Sequence, residues 1–194
     1  SEAGNLYASL LLINAAPVDR IGTLPLAVAL AVRRTIASVL PPGAPAVEVK
    51  WPNDVMIGRK KTSGILLEGE RLGNGDYALV IGCGINVAHK PENPLYPTTC
   101  LAEEGANPGL EELFARLVLN MTDILNIWDE SRGVAAIMAE WRTHAMGLGE
   151  AIVVNFPDRS ISGTFAGIDD DGILQLVTPS GSVIPVAAGD VFFT

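Results

Sequence analysis

The sequence predicts an α+β fold in which a sheet flanked by helices is followed by a small β-barrel. Strand-like apolar segments and one apolar helix dominate the first 86 residues, and two segments of helical periodicity follow them. After Gly147 the pattern changes to short apolar segments separated by turn residues about every ten positions, which is typical of a small barrel or sheet. We therefore predict two domains, residues 1–147 and 148–194, with a boundary near Leu148.

The composition indicates a globular protein with an acidic total charge. The chain has 194 residues, 48% of them hydrophobic, and a formal net charge of −9. This length suits one domain with a small appendage. An acidic total argues against broad contact with a nucleic-acid backbone. We therefore expect no nucleic-acid partner for this chain, and a negatively charged ligand would have to be held by local donors.

The cysteines fit a reducing compartment, and the histidines and apolar segments indicate neither a metal site nor a membrane span. Cys83 and Cys100 form no CxxC pair, and His89 and His144 are far apart in sequence, so no metal-ligand spacing is visible. The longest apolar segment, residues 24–32, is too short to span a bilayer, and no apolar leader opens the chain. We expect a cytoplasmic protein without a membrane partner.

The first elements follow from apolar patterning and proline positions. Residues 6–13 are apolar and predict a buried strand. Thr23 can begin a mostly buried helix that continues to about Leu40. Residues 47–51 alternate in polarity and predict a strand that Pro52 ends.

A hairpin and a glycine-containing segment come next. Residues 55–57 and 63–68 predict two strands that flank a basic tip, Gly58-Arg59-Lys60-Lys61. Residues 77–81 predict another strand, which continues directly into Gly82-Cys83-Gly84-Ile85-Asn86.

The remaining chain predicts a loop, two helices and four short strands. Residues 89–100 are rich in Pro, Asn and Thr and predict a loop. A helix begins near Asn107-Pro108 and continues to Trp128, and a second covers residues 134–145. The four C-terminal strands are predicted at residues 151–156, 161–168, 173–178 and 183–186.

The segment Lys50-Trp51-Pro52-Asn53-Asp54 is the first candidate for chemistry. A strand that ends at proline can direct its last side chains into a cleft. Lys50 can contact a phosphate as a point charge, and Asp54 can hold Mg²⁺ or accept a hydrogen bond from an amine. An exposed salt bridge beside a strand end is the alternative interpretation. Trp51 is interpreted as a packing residue, with base stacking as the alternative.

Lys61 and Gly64 form the second candidate. A glycine inside an apolar strand is costly unless another group must approach the backbone there. Lys61 precedes it closely enough to place an ammonium group over that approach. The alternative is a solvated hairpin tip, because runs of charge usually face solvent.

The third candidate is the segment from Gly82 to Asn86. Two glycines at a strand end let a ligand lie against the main chain. Position 87 is Val, so the dinucleotide fingerprint is not matched, and a tight turn is the alternative. Asn86 can bind a nucleotide or cap that turn. Cys83 is interpreted as a small buried residue without a covalent role.

Together these motifs resemble the biotin–protein ligase (biotin–[acetyl-CoA-carboxylase] ligase) family. The shared features are KWPND, a Lys seven positions after its Asp, GIL, and GxGIN, in this order, together with the opening Gly4-Asn5-Leu6-Tyr7. The resemblance implies a class II synthetase-like core with a mixed sheet for residues 1–147. It also implies a small C-terminal β-barrel for residues 148–194.

The activity that the resemblance implies has two steps. Biotin and Mg·ATP form biotinyl-5′-adenylate and pyrophosphate. Biotin then passes to a lysine of the biotin carboxyl carrier domain of acetyl-CoA carboxylase. Members of the family are often homodimers, so we expect one here.

The resemblance also implies roles for individual residues. Lys61 corresponds to the catalytic lysine that contacts the biotin carboxylate and the α-phosphate, and Gly64 and Gly82 correspond to residues of the biotin pocket. Asp54 is expected to assist the acceptor amine and to contact Mg²⁺ bound to ATP. The residues expected on the ATP side are Lys50, Asn53, Asp54, Asn86 and, in addition, Asn5.

One segment of the family pattern is expected before Ser1, namely a loop rich in Gly and Arg that wraps biotin. We therefore expect an N-terminally truncated catalytic domain, which can be inactive as a fragment. Two other functions remain open from the sequence. One is a ligase relative acting on lipoate or octanoate, and the other is a non-catalytic module that binds the carrier domain.

Overall fold

The computed structural model describes residues 3–94 and 96–194. This part contains two five-stranded sheets and three α-helices, and a short 3-10 helix, Val18–Thr23, precedes the first of them. The first sheet has the order β1-β5-β4-β3-β2 and the second the order β10-β6-β7-β8-β9. The elements are β1 Leu6–Ile13, α1 Leu24–Ala37, β2 Val47–Lys50, β3 Asp54–Ile57, β4 Lys60–Arg71, β5 Tyr77–Ile85, α2 Leu110–Trp128, α3 Val134–Thr143, β6 Ala151–Asn155, β7 Ser160–Ile168, β8 Leu174–Val177, β9 Val183–Val186 and β10 Asp190–Phe193.

The predicted α+β class is confirmed, with two differences in the sheets. The pairings among β1 to β5 are all antiparallel, whereas a mixed sheet was expected. The C-terminal strands form an open sheet, because β9 and β10 lie at its two edges and do not pair within the described residues. The division into residues 1–147 and 148–194 stays a prediction.

Helix α1 is the centre of the hydrophobic core. It packs against β2, β3 and β4 on one side and against α2 and α3 on the other. Leu24, Leu30 and Val32 are fully buried, and each buried side chain of this size stabilises the fold by about 1.5–3 kcal/mol. The helix begins next to Thr23, as predicted, but ends at Ala37 rather than near Leu40.

Strand β1 has the predicted bounds but is not buried on both faces. It occupies an edge of the first sheet, and its residues alternate between the face towards α2 and an open face. Leu6 is buried, whereas Leu11 is 59% exposed. The prediction of a buried strand was wrong because a continuous apolar segment does not reveal whether both faces of its sheet are covered.

The β3–β4 hairpin has a shorter tip than predicted. Its turn consists of Gly58 and Arg59, which both have positive φ, 53° and 66°. Two consecutive residues of this conformation match the right-handed twist of the strands that they join. Lys60 and Lys61 therefore belong to β4 and not to a solvated tip.

A β-bulge in this hairpin decides which way Lys61 points. Val55 pairs with Ser63 and Met56 pairs with Lys61, so Thr62 is an extra residue on β4. Side chains of a regular strand alternate between faces, and one extra residue reverses the alternation beyond it. Lys61 thus lies opposite Met56, two residues from Asp54, and shares the face of Asp54.

The glycines of the third motif lie inside a strand. Strand β5 continues to Ile85, and Gly82 and Gly84 pair with β1 on one side and with β4 on the other. Gly84 is directly opposite Gly64. The expected strand end at Gly82 was wrong, because ladder pairing on both sides overrides the weak strand propensity of glycine. The result is a patch of sheet without side chains.

The two sheets are joined by specific contacts. Trp51, which follows β2, donates its indole N–H to the carbonyl of Gly172 at 3.0 Å. Arg59 at the hairpin turn forms a bidentate ion pair with Glu150, at 2.7 and 2.8 Å. No helix in the described ranges is long and apolar enough to cross a membrane.

Candidate ligand-binding site

Three charged side chains meet at one end of the first sheet. Lys50 is the last residue of β2 and pairs in register with Asp54, the first residue of β3. The Nζ of Lys61 lies 2.5 Å from Oδ1 of Asp54, and the Nζ of Lys50 lies 3.7 Å from Oδ2. One carboxylate on β3 therefore lies between two ammonium groups that come from the strands on either side of it, β2 and β4.

All three side chains are largely buried, with 11–22% of their surface exposed. Burial lowers the pKa of Lys50, and the attraction of Asp54 does not fully compensate for it. Burial also acts to lower the pKa of Lys61, but the contacts with Asp54 and Tyr96 outweigh it and the net shift is upward. Lys61 is therefore a cation at neutral pH.

Tyr96 is a member of the site that the sequence did not indicate. Its hydroxyl lies 3.2 Å from Nζ of Lys61, and its ring centroid lies 5.2 Å from that nitrogen and 5.6 Å from Nζ of Lys50. The loop that carries it is fixed to β4, because Lys61 N–H donates to Pro97 and Thr99 N–H donates to the Lys61 carbonyl. A single aromatic residue in a proline-rich loop was the only signal available.

A cavity of about 270 Å³ lies between β4 and this loop. Lys61 and Gly64 form one wall and Tyr96 forms part of the other. Asn86 also lines the cavity, and its Nδ2 donates to the carbonyl of Thr99 at 3.0 Å. The cavity thus offers one cation, amide and hydroxyl groups, and apolar proline rings to a ligand.

A second, wider hollow of about 350 Å³ lies over the bare patch of the sheet. It shares Lys61 and Gly64 with the first cavity and adds Asp54, Asn53 and Gly82. A Cβ atom at Gly82 would find its nearest neighbour, the Leu66 carbonyl oxygen, 3.8 Å away, so the space above this glycine is open. The two cavities meet at the ammonium group of Lys61.

Gly64 leaves room for the side chain of Lys61. A Cβ atom there would lie 3.3 Å from both Cε and Nζ of Lys61 and 3.8 Å from Oδ1 of Asp54. These are close contacts for a buried ion pair. The glycine lets the lysine side chain lie flat across the strand.

The side chains of Asn53 and Asn5 both form hydrogen bonds with backbone groups, in different parts of the structure. Asn53 donates its Nδ2 to the carbonyl of Ile65 at 2.7 Å and lines the wide hollow. The Oδ1 of Asn5 accepts hydrogen bonds from three successive backbone N–H groups, those of residues 87–89. Asn5 does not line either cavity, so the structure separates it from the Lys61 cluster and places it behind the segment that follows Asn86.

Cys83 and Trp51 are both buried. Burial raises the pKa of the Cys83 thiol to about 11, which opposes any role as a nucleophile at neutral pH. Trp51 is 4% exposed and hydrogen-bonded through its indole, so the packing interpretation of this residue is confirmed.

The residues present do not fit a magnesium ion held by the protein. The only carboxylate of the cluster, Asp54, already lies between two ammonium groups, which repel a divalent cation. The described part of the chain contains no group of three or more His, Cys, Asp or Glu side chains arranged around a common point. We derive no step through a metal bound by these residues.

The fold and the site together define an α+β protein with a buried lysine where two cavities meet over a bare sheet surface. Sequence comparison places this class more narrowly. Residues 1–86 match the model of the biotin/lipoate A/B protein ligase family, and residues 147–194 match that of the biotin protein ligase C terminal domain. The chain is 33% identical to the biotin--[acetyl-CoA-carboxylase] ligase of Paracoccus denitrificans, covering 98% of this chain and 81% of that protein. The chain belongs to the biotin protein ligase family.

Other relatives agree with this placement. The bifunctional ligase/repressor BirA of Bacillus subtilis is 30% identical over 93% of this chain, which spans 56% of that protein. The crystal structure of biotin protein ligase from Aquifex aeolicus superposes with a TM-score of 0.82 at 25% identity, over 98% of this chain and 82% of that one. The same Aquifex protein in complex with biotin and ATP gives a TM-score of 0.81 over 98% of this chain and 78% of that one.

Proposed function

We propose that the protein is an ATP-dependent biotin–protein ligase that forms biotinyl-5′-AMP and transfers biotin to a lysine of a carrier domain. The observation that carries the proposal is the buried Lys61 ammonium, fixed 2.5 Å from Asp54 where two cavities meet. Relatives named as biotin--[acetyl-CoA-carboxylase] ligases support the reaction, and the Aquifex complex supports biotin and ATP as ligands. The acceptor is accordingly proposed to be the carrier domain of acetyl-CoA carboxylase.

In the first step two anions must react. A carboxylate oxygen of biotin attacks the α-phosphorus of ATP, and pyrophosphate leaves. The two groups repel one another, and negative charge increases on the phosphate oxygens in the transition state. A fixed ammonium between the two cavities offsets both effects, because it is already oriented and largely shielded from water. Holding both substrates in line contributes the rest.

In the second step a lysine amine of the acceptor attacks the acyl carbon, and AMP leaves. The amine must lose a proton, and Asp54 is the carboxylate of the cluster. We assign Asp54 to accept that proton or to orient the amine. Its second role expected from sequence, contact with Mg²⁺ brought by ATP, is disfavoured by the two ammonium groups beside it.

The two cavities suggest separate positions for biotin and for the nucleotide. The wide hollow over Gly64 and Gly82 suits biotin, because a flat ligand can lie on backbone there. The cavity lined by Asn86 suits the nucleotide, and Asn53 lies beside Asp54 in the wide hollow. Lys50 pairs with Asp54 from a neighbouring cleft between the two sheets, so we assign it to the nucleotide side through that pair. Asn5 contributes indirectly, by fixing the segment after Asn86.

The test is biotin adenylation by the full-length natural protein carrying Lys61→Ala. We expect a loss of at least ~100-fold in single-turnover formation of biotinyl-AMP, by analogy with removal of one electrostatic stabiliser. Lys60→Ala is the matched control, since the Lys60 ammonium pairs with Glu104 on the other face. Normal adenylation by the Lys61 variant would overturn the assignment. A larger thermal shift with lipoate than with biotin would indicate a lipoate ligase instead.

Homodimer formation and a cytoplasmic location are further proposals. Strand β1 is an eight-residue edge strand with exposed apolar residues, which favours association of two sheets. The free thiols of Cys83 and Cys100 fit a reducing compartment. Sedimentation of wild type and of a Leu11→Lys variant tests the dimer, which the charge should weaken.

A further inference from the structure

We infer that Phe192 is a positioning residue, which holds the Lys50 ammonium through its aromatic ring and thereby couples the C-terminal sheet to ATP binding. The inference rests on the proposed function, in which Lys50 lies on the nucleotide side. Phe192 belongs to β10, at the edge of the second sheet, more than 140 positions away in sequence from Lys50.

The geometry places Lys50 between two aromatic rings. Its Nζ lies 5.8 Å from the ring centroid of Phe192 and 5.6 Å from that of Tyr96. Both rings line a cleft of about 320 Å³ that runs between the two sheets, with Lys50 and Asp54 at one side. Each distance lies within the range in which a cation is attracted to the face of a ring.

The other surroundings of Lys50 leave its positive charge poorly compensated. Its side chain is only 13% exposed, so the ammonium has lost most of its water. Among the described residues its ion-pair partner is Asp54, which is 3.7 Å away and makes the shorter contact with Lys61, and Asp190 attracts it from farther away. A poorly hydrated cation with a shared counter-ion gains more from an aromatic face than an exposed cation does.

Phe193, the neighbour of Phe192, provides a matched control. Its ring lines the same cleft but lies 5.1 Å from the guanidinium carbon of Arg59, which is paired with Glu150 and not with Asp54. The two phenylalanines thus belong to the same strand and the same sheet, but they contact different cations. A general weakening of the contact between the sheets would affect both variants alike.

The experiment compares Phe192→Leu with Phe193→Leu in the full-length natural protein, using steady-state adenylation. We expect Phe192→Leu to raise the KM for ATP roughly three- to tenfold, the size of one partly buried cation–ring contact. The kcat and the Kd for biotin should change by less than about twofold in both variants. Phe192→Tyr and Phe192→Trp should restore the wild-type KM, because they keep an aromatic face.

A second measurement keeps the shape of the side chain constant. Phenylalanines with increasing fluorination at position 192 weaken the negative face of the ring without changing its size. The KM for ATP should rise steadily along this series. A flat series, or equal effects of Phe192→Leu and Phe193→Leu, would overturn the inference. Wild-type protein that forms no biotinyl-AMP would instead contradict the proposed function.

Discussion

The ammonium of Lys61 and the carboxylate of Asp54 lie 2.5 Å apart, on adjacent strands whose pairing shifts by one residue at a β-bulge. Both side chains are anchored at backbone positions paired within the sheet, and the backbone of Lys61 is also hydrogen-bonded to the loop at Pro97 and Thr99. The lysine therefore does not have to be reoriented when a substrate arrives. Such preorganisation is what makes a single fixed charge effective in catalysis.

Asp54→Asn should shift the pH dependence of adenylation. Asp54 stabilises the charged form of Lys61 and raises its pKa, so its removal makes the ammonium easier to deprotonate. Because the protonated form is the active one, the alkaline decline of kcat/KM should move to lower pH. Rate–pH profiles of both proteins provide the measurement.

Asp190→Asn is the control for this shift. Asp190 acts on the pKa of Lys50 and is not among the groups that shift Lys61. The Asp190→Asn variant should change the KM for ATP, whereas the pH at which kcat declines on the alkaline side should move little. Coincident profiles for wild type and Asp54→Asn would show that Lys61 does not titrate in the reaction.

Gly64→Ala should impair chemistry more than Gly82→Ala. The added methyl at position 64 would press on Cε and Nζ of Lys61 at 3.3 Å and displace the ammonium, which lowers kcat. The methyl at position 82 has open space and should mainly raise the KM for biotin. Steady-state kinetics separate the two. A Gly64→Ala variant with unchanged kcat would mean that Lys61 can move without loss.

Trp51→Phe should destabilise the fold. The change leaves the buried carbonyl of Gly172 without its donor, at a cost of about 1–3 kcal/mol. Trp141→Phe is a suitable comparison, since the indole N–H of Trp141 is buried and has no hydrogen-bond partner among the described residues. Urea unfolding should show the larger loss for Trp51, and a larger loss for Trp141 would contradict this account.

Cys83 should resist alkylation in the folded protein. With a pKa of about 11, only about one thiol in a thousand is ionised at pH 8, and the side chain is buried. Mass spectrometry after brief treatment with iodoacetamide should find Cys83 unmodified until urea is added. Cys83→Ala should retain adenylation, and rapid inactivation that depends on Cys83 would contradict the buried-residue interpretation.

Local patterning allowed most of the elements to be predicted from the sequence. The bounds of β1, the start of α1 and the two later helices follow from apolar periodicity and proline positions. The open edge of the second sheet and the antiparallel first sheet did not follow, because pairing between distant strands leaves no local signal. Lys61 and Asp54 were indicated as members of two separate motifs, and their contact within one hairpin was not predicted.

Tyr96 and Phe192 lie at the site but were not predicted from the sequence. Each reaches the lysines through tertiary structure, from a loop and from the last strand of the second sheet. Asn5 shows the opposite case. A motif position suggested a nucleotide contact, whereas the structure uses its side chain to organise three backbone N–H groups at residues 87–89.

The bulge at Thr62 keeps Lys61 and Gly64 on one face of the sheet although they are three positions apart in sequence. If all residues of β4 paired regularly with β3, Lys61 would turn to the helix-covered side and leave its charge in the apolar core. A side-chain replacement at position 62 that preserves the bulge therefore keeps the ammonium at the ligand, whereas loss of the bulge at the same chain length removes it. Homologous sequences with the same spacing between the lysine and the glycine should therefore keep the bulge, while the residues at positions 62 and 63 vary.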